Sequence, residues 1–163
     1  MRQRDSYREL NKLYKIYSVG LGVLQAIKAA LEKQNSEYGI IFEDLDENEG
    51  ELLFWFAGTC LYAKIVVVSG KTGYFGRISW GRCTIEDEEI IRQAPVAENV
   101  YKQVNKEKFW LFYKEGEADR VCDLKNDTIP ELLFDNIWKA VEDLFPETEE
   151  EPPDRPGSTS FEV

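Results

Sequence analysis

Between residues 10 and 31 apolar side chains recur in alternating steps of three and four; beyond residue 38 they recur every second residue. Leu10, Leu13, Tyr17, Leu24, Ile27 and Leu31 therefore define one face of a long N-terminal helix, with Gly20 at the missing step. Ser6-Tyr7-Arg8-Glu9 has the form of a capping box, whose hydroxyl and carboxylate satisfy free amides at a helix start. The helix is predicted to run from there to Asn35-Ser36. Gly20 and Gly22 each cost about 1 kcal/mol relative to alanine inside a helix. They mark a kink or a close approach by another backbone.

The period-two part predicts strands at Tyr38–Phe42, Glu51–Phe56, Cys60–Val68 and Tyr74–Trp80, with an acidic turn over Glu43–Gly50 and a tight loop at Ser69–Gly73. Thr84-Ile85-Glu86-Asp87 reads as the cap of a short acidic helix that must end before Pro95. The stretch to Asn105 reads as a further helical turn or two. Lys108–Lys114 (KFWLFYK) is a strand apolar on both faces, which places it centrally in a sheet, and Arg120–Leu124 returns beside it. Thr128-Ile129-Pro130-Glu131 starts a last helix carrying Leu133, Phe134, Ile137, Val141, Leu144 and Phe145, stopped by Pro146. Short turns between strands cannot make parallel crossovers. The expected fold class is α+β: a long N-terminal helix, a mainly antiparallel sheet of five or six strands and a C-terminal helix over residues 1–145. Residues 146–163 are expected to form a disordered acidic, Pro-rich tail, whose Phe161-Glu162-Val163 end has the form of a strand-adding docking motif.

Composition narrows the chemistry. The 163 residues contain no histidine, so Ser-His and Cys-His nucleophile activation and histidine-ligated zinc are excluded. Cys60, Cys83 and Cys122 are an odd, widely spaced set without a CxxC, which predicts reduced, buried thiols in a cytoplasmic protein. The N-terminus is charged and lacks the apolar core of a signal peptide. Leu52–Val68 is apolar but for Thr59 and Lys64, divided by Gly58 and β-branched in its second half, and so predicts two buried strands rather than a membrane span.

The net charge of −11 is uneven. Residues 1–36 hold seven Lys/Arg against three Asp/Glu, whereas residues 37–51 hold seven acids and no base. Residues 52–85 hold four bases and no acid, and residues 86–163 hold nine bases against 21 acids.

Each candidate motif has a plain structural reading. Gly70-Lys71-Thr72 resembles the end of a phosphate-binding loop, but Ile65 stands where the first glycine belongs and a strand follows, so a hairpin turn is expected. Asp44, Asp46 and Asn48 match the first positions of a calcium loop, yet Glu49 and Trp55 replace its glycine and final glutamate. No metal site or cofactor is predicted. A carboxylate-based metal-dependent hydrolase ranks third, because acids crowd into turns, helix starts and the tail.

The remaining constellation is aromatic and cationic. Alternation leaves Tyr62 and Lys64 on one side of strand 60–68, and Phe75 and Arg77 on one side of strand 74–80. Paired across the loop, these four form a patch suited to a protein interface or to a stacked nucleotide. The expected function is a non-enzymatic, acidic protein-binding module of inhibitor, immunity or chaperone-like adaptor type. Asp44, Asp46, Glu47 and Glu49, the 86–89 acids and the tail steer a basic partner, and Tyr62, Lys64, Phe75 and Arg77 supply contacts. A nucleotide- or small-ligand-binding domain is the alternative; nucleic acid is opposed by the net charge, no membrane is expected, and self-association is compatible with the sequence.

Overall fold

The computed structural model describes residues 3–33, 39–125, 127–128, 135–145 and 148–154. Helix α1 spans Gln3–Lys33. It starts ahead of the predicted cap, so Ser6 lies within it, and Glu9 serves a tertiary contact, accepting a 2.7 Å hydrogen bond from the Tyr74 hydroxyl. Leu24, Ile27 and Leu31 are fully buried as the periodicity requires, but Leu10 is exposed because the first turns of α1 lie outside the core. The predicted helix end at Asn35-Ser36 and strand start at Tyr38 lie outside the described residues.

Eight strands follow: β1 (Ile41–Phe42), β2 (Glu51–Phe56), β3 (Thr59–Gly70), β4 (Gly73–Glu86), β5 (Glu89–Arg92), β6 (Ala97–Asn105), β7 (Lys108–Glu115) and β8 (Ala118–Asp123). They pair antiparallel in the order β1-β2-β3-β4-β6-β7-β8, with β5 attached to β4 alone. Leu52–Val68 is indeed two strands, reversed at Ala57-Gly58 with φ of 49° and 80°. No helix among the described residues is long and apolar enough to cross a membrane.

Two corrections raise the strand count from five or six to eight. The predicted acidic helix after Thr84 is a hairpin: Ile85 pairs with Ile90, and Asp87 and Glu88 turn the chain with φ of 50° and 68°. Left-handed backbone at both central positions matches the twist of a two-residue hairpin, which the capping-box reading overlooked. The predicted helical turns before Asn105 are strand β6. Its inner face alternates Ala97, Asn99 and Tyr101, and the polar middle member masks the period. Asn99 is buried because its side chain accepts from Trp80 Nε1 at 3.0 Å and from Asn136 Nδ2 at 2.8 Å, and donates to the Phe112 carbonyl at 3.3 Å. Buried polar atoms are tolerated only with such partners.

One face of the sheet carries the core. Leu52, Phe54, Leu61, Ala63, Ile65, Ile78, Trp80, Tyr101, Phe109 and Leu111 pack against Val23, Leu24, Ile27 and Leu31 of α1 and against helix α2 (Asp135–Val141). Ile137, Ala140 and Val141 of α2 are buried, whereas Leu144, which ends a short 3₁₀ turn, and Phe145 just beyond it, both expected on the same face, are exposed. Arg82 holds this region by a forked ion pair to Asp143 at 2.6 and 3.3 Å. Of the predicted helix start, Ile129-Pro130-Glu131, Leu133 and Phe134 lie outside the described residues, as does Phe161-Glu162-Val163. Residues 148–154 form neither helix nor strand.

Candidate interaction surfaces

The sheet's second face divides into a covered end and an open end, and the predicted aromatic-cationic residues fall on both. At the covered end the β4–β5 hairpin folds over β2 and β3. Tyr62 is 4% exposed, its ring fills the space over Gly81, and its hydroxyl donates to the Gln93 carbonyl at 2.5 Å. Beside it Cys60, Cys83, Leu53, Trp55 and Ile90 form a second small core. Glu51, 2% exposed, receives both Nε and Nη2 of Arg92 from β5, a forked pairing that clamps the hairpin down. Tyr62 is thus a structural residue and no part of an accessible patch.

At the open end the strand register sets the rows. Val66 lies beside Arg77, which lies beside Val100; Val68 lies beside Phe75; Lys64 lies beside Ser79, which lies beside Glu98. Lys102 is paired with Trp110, and Phe112 with Val121. Lys64, Phe75 and Arg77 therefore share one surface, as the alternation of their strands implies. Arg77 sits over the Phe75 ring at 5.7 Å and pairs with Glu98 at 3.6 Å. Lys102 sits over Phe112 at 5.9 Å, and Trp110 meets Phe112 edge-on at 6.3 Å. Lys108–Asp123 and Lys114–Asp119 pair on the same face at 3.5 and 2.5 Å.

Sequence reasoning missed the outer half of this surface. Trp110 and Phe112 alternate with buried Phe109 and Leu111, so KFWLFYK does lie between two strands, and its second apolar face is half-buried, not fully covered. The two-sided apolar run is the available signal: it places the strand centrally in the sheet, as found, but does not say whether both faces are covered.

The acidic residues lie elsewhere, between β1 and β2. Asp46 Oδ1 accepts the backbone amides of Asn48 and Glu49, both at 3.0 Å, so this carboxylate caps a turn. Gly50, with φ of 64°, lets the chain pass against the Tyr17 ring, and the Tyr17 hydroxyl donates to the Glu47 carbonyl. Burial, then the carboxylates of Asp46, Glu49 and Glu47, pushes the Tyr17 hydroxyl above its ordinary pKa. Asp44 reaches Lys28 at 3.9 Å. The turn is therefore fixed to α1 and presents Asp44, Asp46, Glu47 and Glu49 as one cluster, separate from Lys64, Phe75 and Arg77.

Cys60, Cys83 and Cys122 are free and buried. Burial raises all three thiols, Cys83 to about 12. A protonated, buried thiol is a poor nucleophile. Gly70 and Gly73 face each other across Lys71-Thr72, closing the β3–β4 hairpin where a phosphate loop would need a helix. Among the described residues no three His, Cys, Asp or Glu side chains gather as a metal-binding group.

No protein-family model, curated protein or solved structure matches the chain.

Proposed function

We propose that this chain is a non-enzymatic binding module for another protein, with the open sheet face as its docking platform. One observation carries the reading. A solvated face of an antiparallel sheet ordinarily alternates to polar residues. This one instead presents Val66, Val68, Phe75, Val100, Trp110, Phe112 and Val121 together. Apolar groups so concentrated on an open surface mark an interaction site. The aromatic rings and Arg77 are the side-chain types that dominate interface energetics, and the ion pairs among them resemble a polar rim. Four valines favour apolar side chains of a protein over the flat rings of a nucleotide.

The test is affinity capture from lysate of the source organism with three baits: the native chain, Arg77→Glu and Glu47→Lys. Quantitative mass spectrometry should show one protein enriched by the native and Glu47→Lys baits and lost with Arg77→Glu. Retention indifferent to Arg77→Glu would sink the platform. A thermal midpoint raised by nucleotides in the native chain but not in Arg77→Ala would replace it with the small-ligand reading.

A further inference from the structure

Two of the three cysteines lie outside the main core, and the fold sets them against each other. The β3–β4 ladder runs without a break from Gly70 opposite Gly73 to Leu61 opposite Arg82. One further step in each strand places Cys60 opposite Cys83. Facing residues of antiparallel strands have Cα atoms about 4.5–5.5 Å apart, inside the span of about 4.4–6.8 Å that a disulfide requires. Both side chains belong to the small core beneath the β4–β5 hairpin, with Tyr62 and Ile90. Burial raises both thiols, Cys83 to about 12, and the contact with Cys83 partly offsets that rise at Cys60. Cys60 is thus the first of the two to ionise. Cys122 is the contrast: it lies in the main core, where its Sγ donates to the Thr128 carbonyl at 3.5 Å.

The pair is within reach of small molecules. A cavity of about 410 Å³ is lined by Cys60 and Cys83 together with Trp55, Arg82, Ile85 and Leu144. Ile85 and Leu144 are themselves exposed, so the cavity opens to solvent. A water molecule takes about 30 Å³ of the liquid, and hydrogen peroxide, scarcely larger, has room to meet the sulfurs there.

We propose that Cys60 and Cys83 form a redox-sensitive dithiol, closed to a disulfide by a hydroperoxide and reopened by small thiols. The Cys60 thiolate attacks one peroxide oxygen, the O–O bond breaks, and Cys60 becomes a sulfenic acid while the leaving hydroxide takes up a proton as water. The Cys83 sulfur then attacks the Cys60 sulfur. An S–S bond forms, and the sulfenic oxygen leaves as a second water with the Cys83 proton. Two thiols and one hydrogen peroxide give one disulfide and two waters, the sulfurs losing the two electrons that the peroxide gains. Reopening oxidises two molecules of a monothiol to their own disulfide. Burial keeps both thiols protonated at neutral pH, so closure is slow and brief alkylation finds the pair inert. The bridge ties the base of the β4–β5 hairpin to β3, next to the strand that Arg92 clamps onto Glu51, and so restrains opening of the hairpin. This device and the docking reading of the open sheet face do not rest on each other.

The test exposes the full, folded chain to excess hydrogen peroxide, then denatures it in an alkylating reagent and maps its peptides by mass. The expected product is a chain lighter by two hydrogens, with Cys60 and Cys83 joined and Cys122 alkylated. A chain left unbridged, a bridge to Cys122 or to a second chain, or sulfinic acid at Cys60 would overturn the proposal. Cys83→Ser should abolish the bridge and let Cys60 run on to sulfinic acid, and Cys60→Ser should leave Cys83 reduced. The map of the native chain stands whether or not either variant folds. Two further readouts separate a switch from an inert cross-link. Excess 2-mercaptoethanol should restore both thiols without denaturant, and amide hydrogen exchange across Glu89–Arg92 should slow severalfold in the bridged chain. A bridge that stays shut under native conditions, or unchanged exchange in β5, would overturn the switch.

Discussion

The hydroxyl of Tyr101 in β6 donates a 2.7 Å hydrogen bond to the Ile16 carbonyl in α1, in full burial. To arrive there the ring crosses β4 at Gly76, where any side chain would overlap it, and ends against Gly20 of α1. A methyl group at Gly20 would collide with the hydroxyl and lie 2.9 Å from Ile65 Cδ1. The helix glycine therefore makes room for side chains, the Tyr101 hydroxyl and Ile65, and not for another backbone.

Glycine to alanine in a helix normally stabilises by about 1 kcal/mol. Gly20→Ala should instead destabilise, by about 1–3 kcal/mol, as overpacked cores do. Tyr101→Phe should cost about 1 kcal/mol for the lost hydrogen bond. The double variant should be less destabilised than the sum of the two, since removing the hydroxyl makes room for the methyl. Urea denaturation of the four proteins measures this cycle; strict additivity would mean that the two residues do not compete for the same space.

Glu51 predicts a different asymmetry. A carboxylate 2% exposed is stable only with its partner, and Arg92 supplies both donors of the pairing. Arg92→Ala should cost several kcal/mol, about 3–5 in fully buried cases. The figure here should fall at or below the low end, because Arg92 is partly solvated and Lys64 lies opposite Glu51 on β3. Replacing both members, as Glu51→Leu with Arg92→Leu, should recover most of the loss. Thermal midpoints of the two variants check this; a double variant no better than Arg92→Ala would mean that the ion pair does not hold the hairpin by charge.

These contacts also show where the sequence was legible. Local periodicity revealed α1, the strands β2, β3, β4 and β7, and the sidedness of Lys64, Phe75 and Arg77, because each depends only on alternation within one segment. It failed where a tertiary partner overrides the pattern. Asn99 is tolerable in β6 only because Trp80 and Asn136 satisfy it, and Tyr62 is lost from the surface only because β5 folds across it. Leu10 obeys the helical period, yet it is left exposed. Periodicity shows which residues share a face but not whether that face is covered.

Acid should loosen both helices from the sheet through two named carboxylates. The Tyr74 hydroxyl, then Lys12, lowers Glu9 below its ordinary value, and the Arg82 guanidinium lowers Asp143. A depressed pKa contributes stability that is fully present above the unfolded-state value and lost as pH falls through the folded one. The window accordingly opens below the ordinary carboxylate range, about pH 4. Glu9→Gln and Asp143→Asn should each lower the thermal midpoint at neutral pH and show a flatter decline on acidification than the native chain. Parallel acid limbs in all three proteins would exclude these pairs as the source.

The thiols predict the opposite limb. Burial raises Cys83 to about 12 from an ordinary 9.0, and raises Cys60 and Cys122 in the same direction. A group whose folded pKa is raised contributes stability present in full below its unfolded value and lost as pH climbs through the folded one. The relevant window is therefore pH 9 to about 12. One such thiol steepens the decline by up to about 1.4 kcal/mol per pH unit. Cys83→Ala should be less stable than the native chain at pH 7, through the small cavity it leaves, and should lose stability more slowly above pH 9. In the native protein at pH 8, iodoacetamide should leave all three thiols unmodified, and denaturant should release three together. A fast-reacting thiol in the native state would show that Cys60 or Cys83 is accessible beneath β5, and that the hairpin opens without global unfolding.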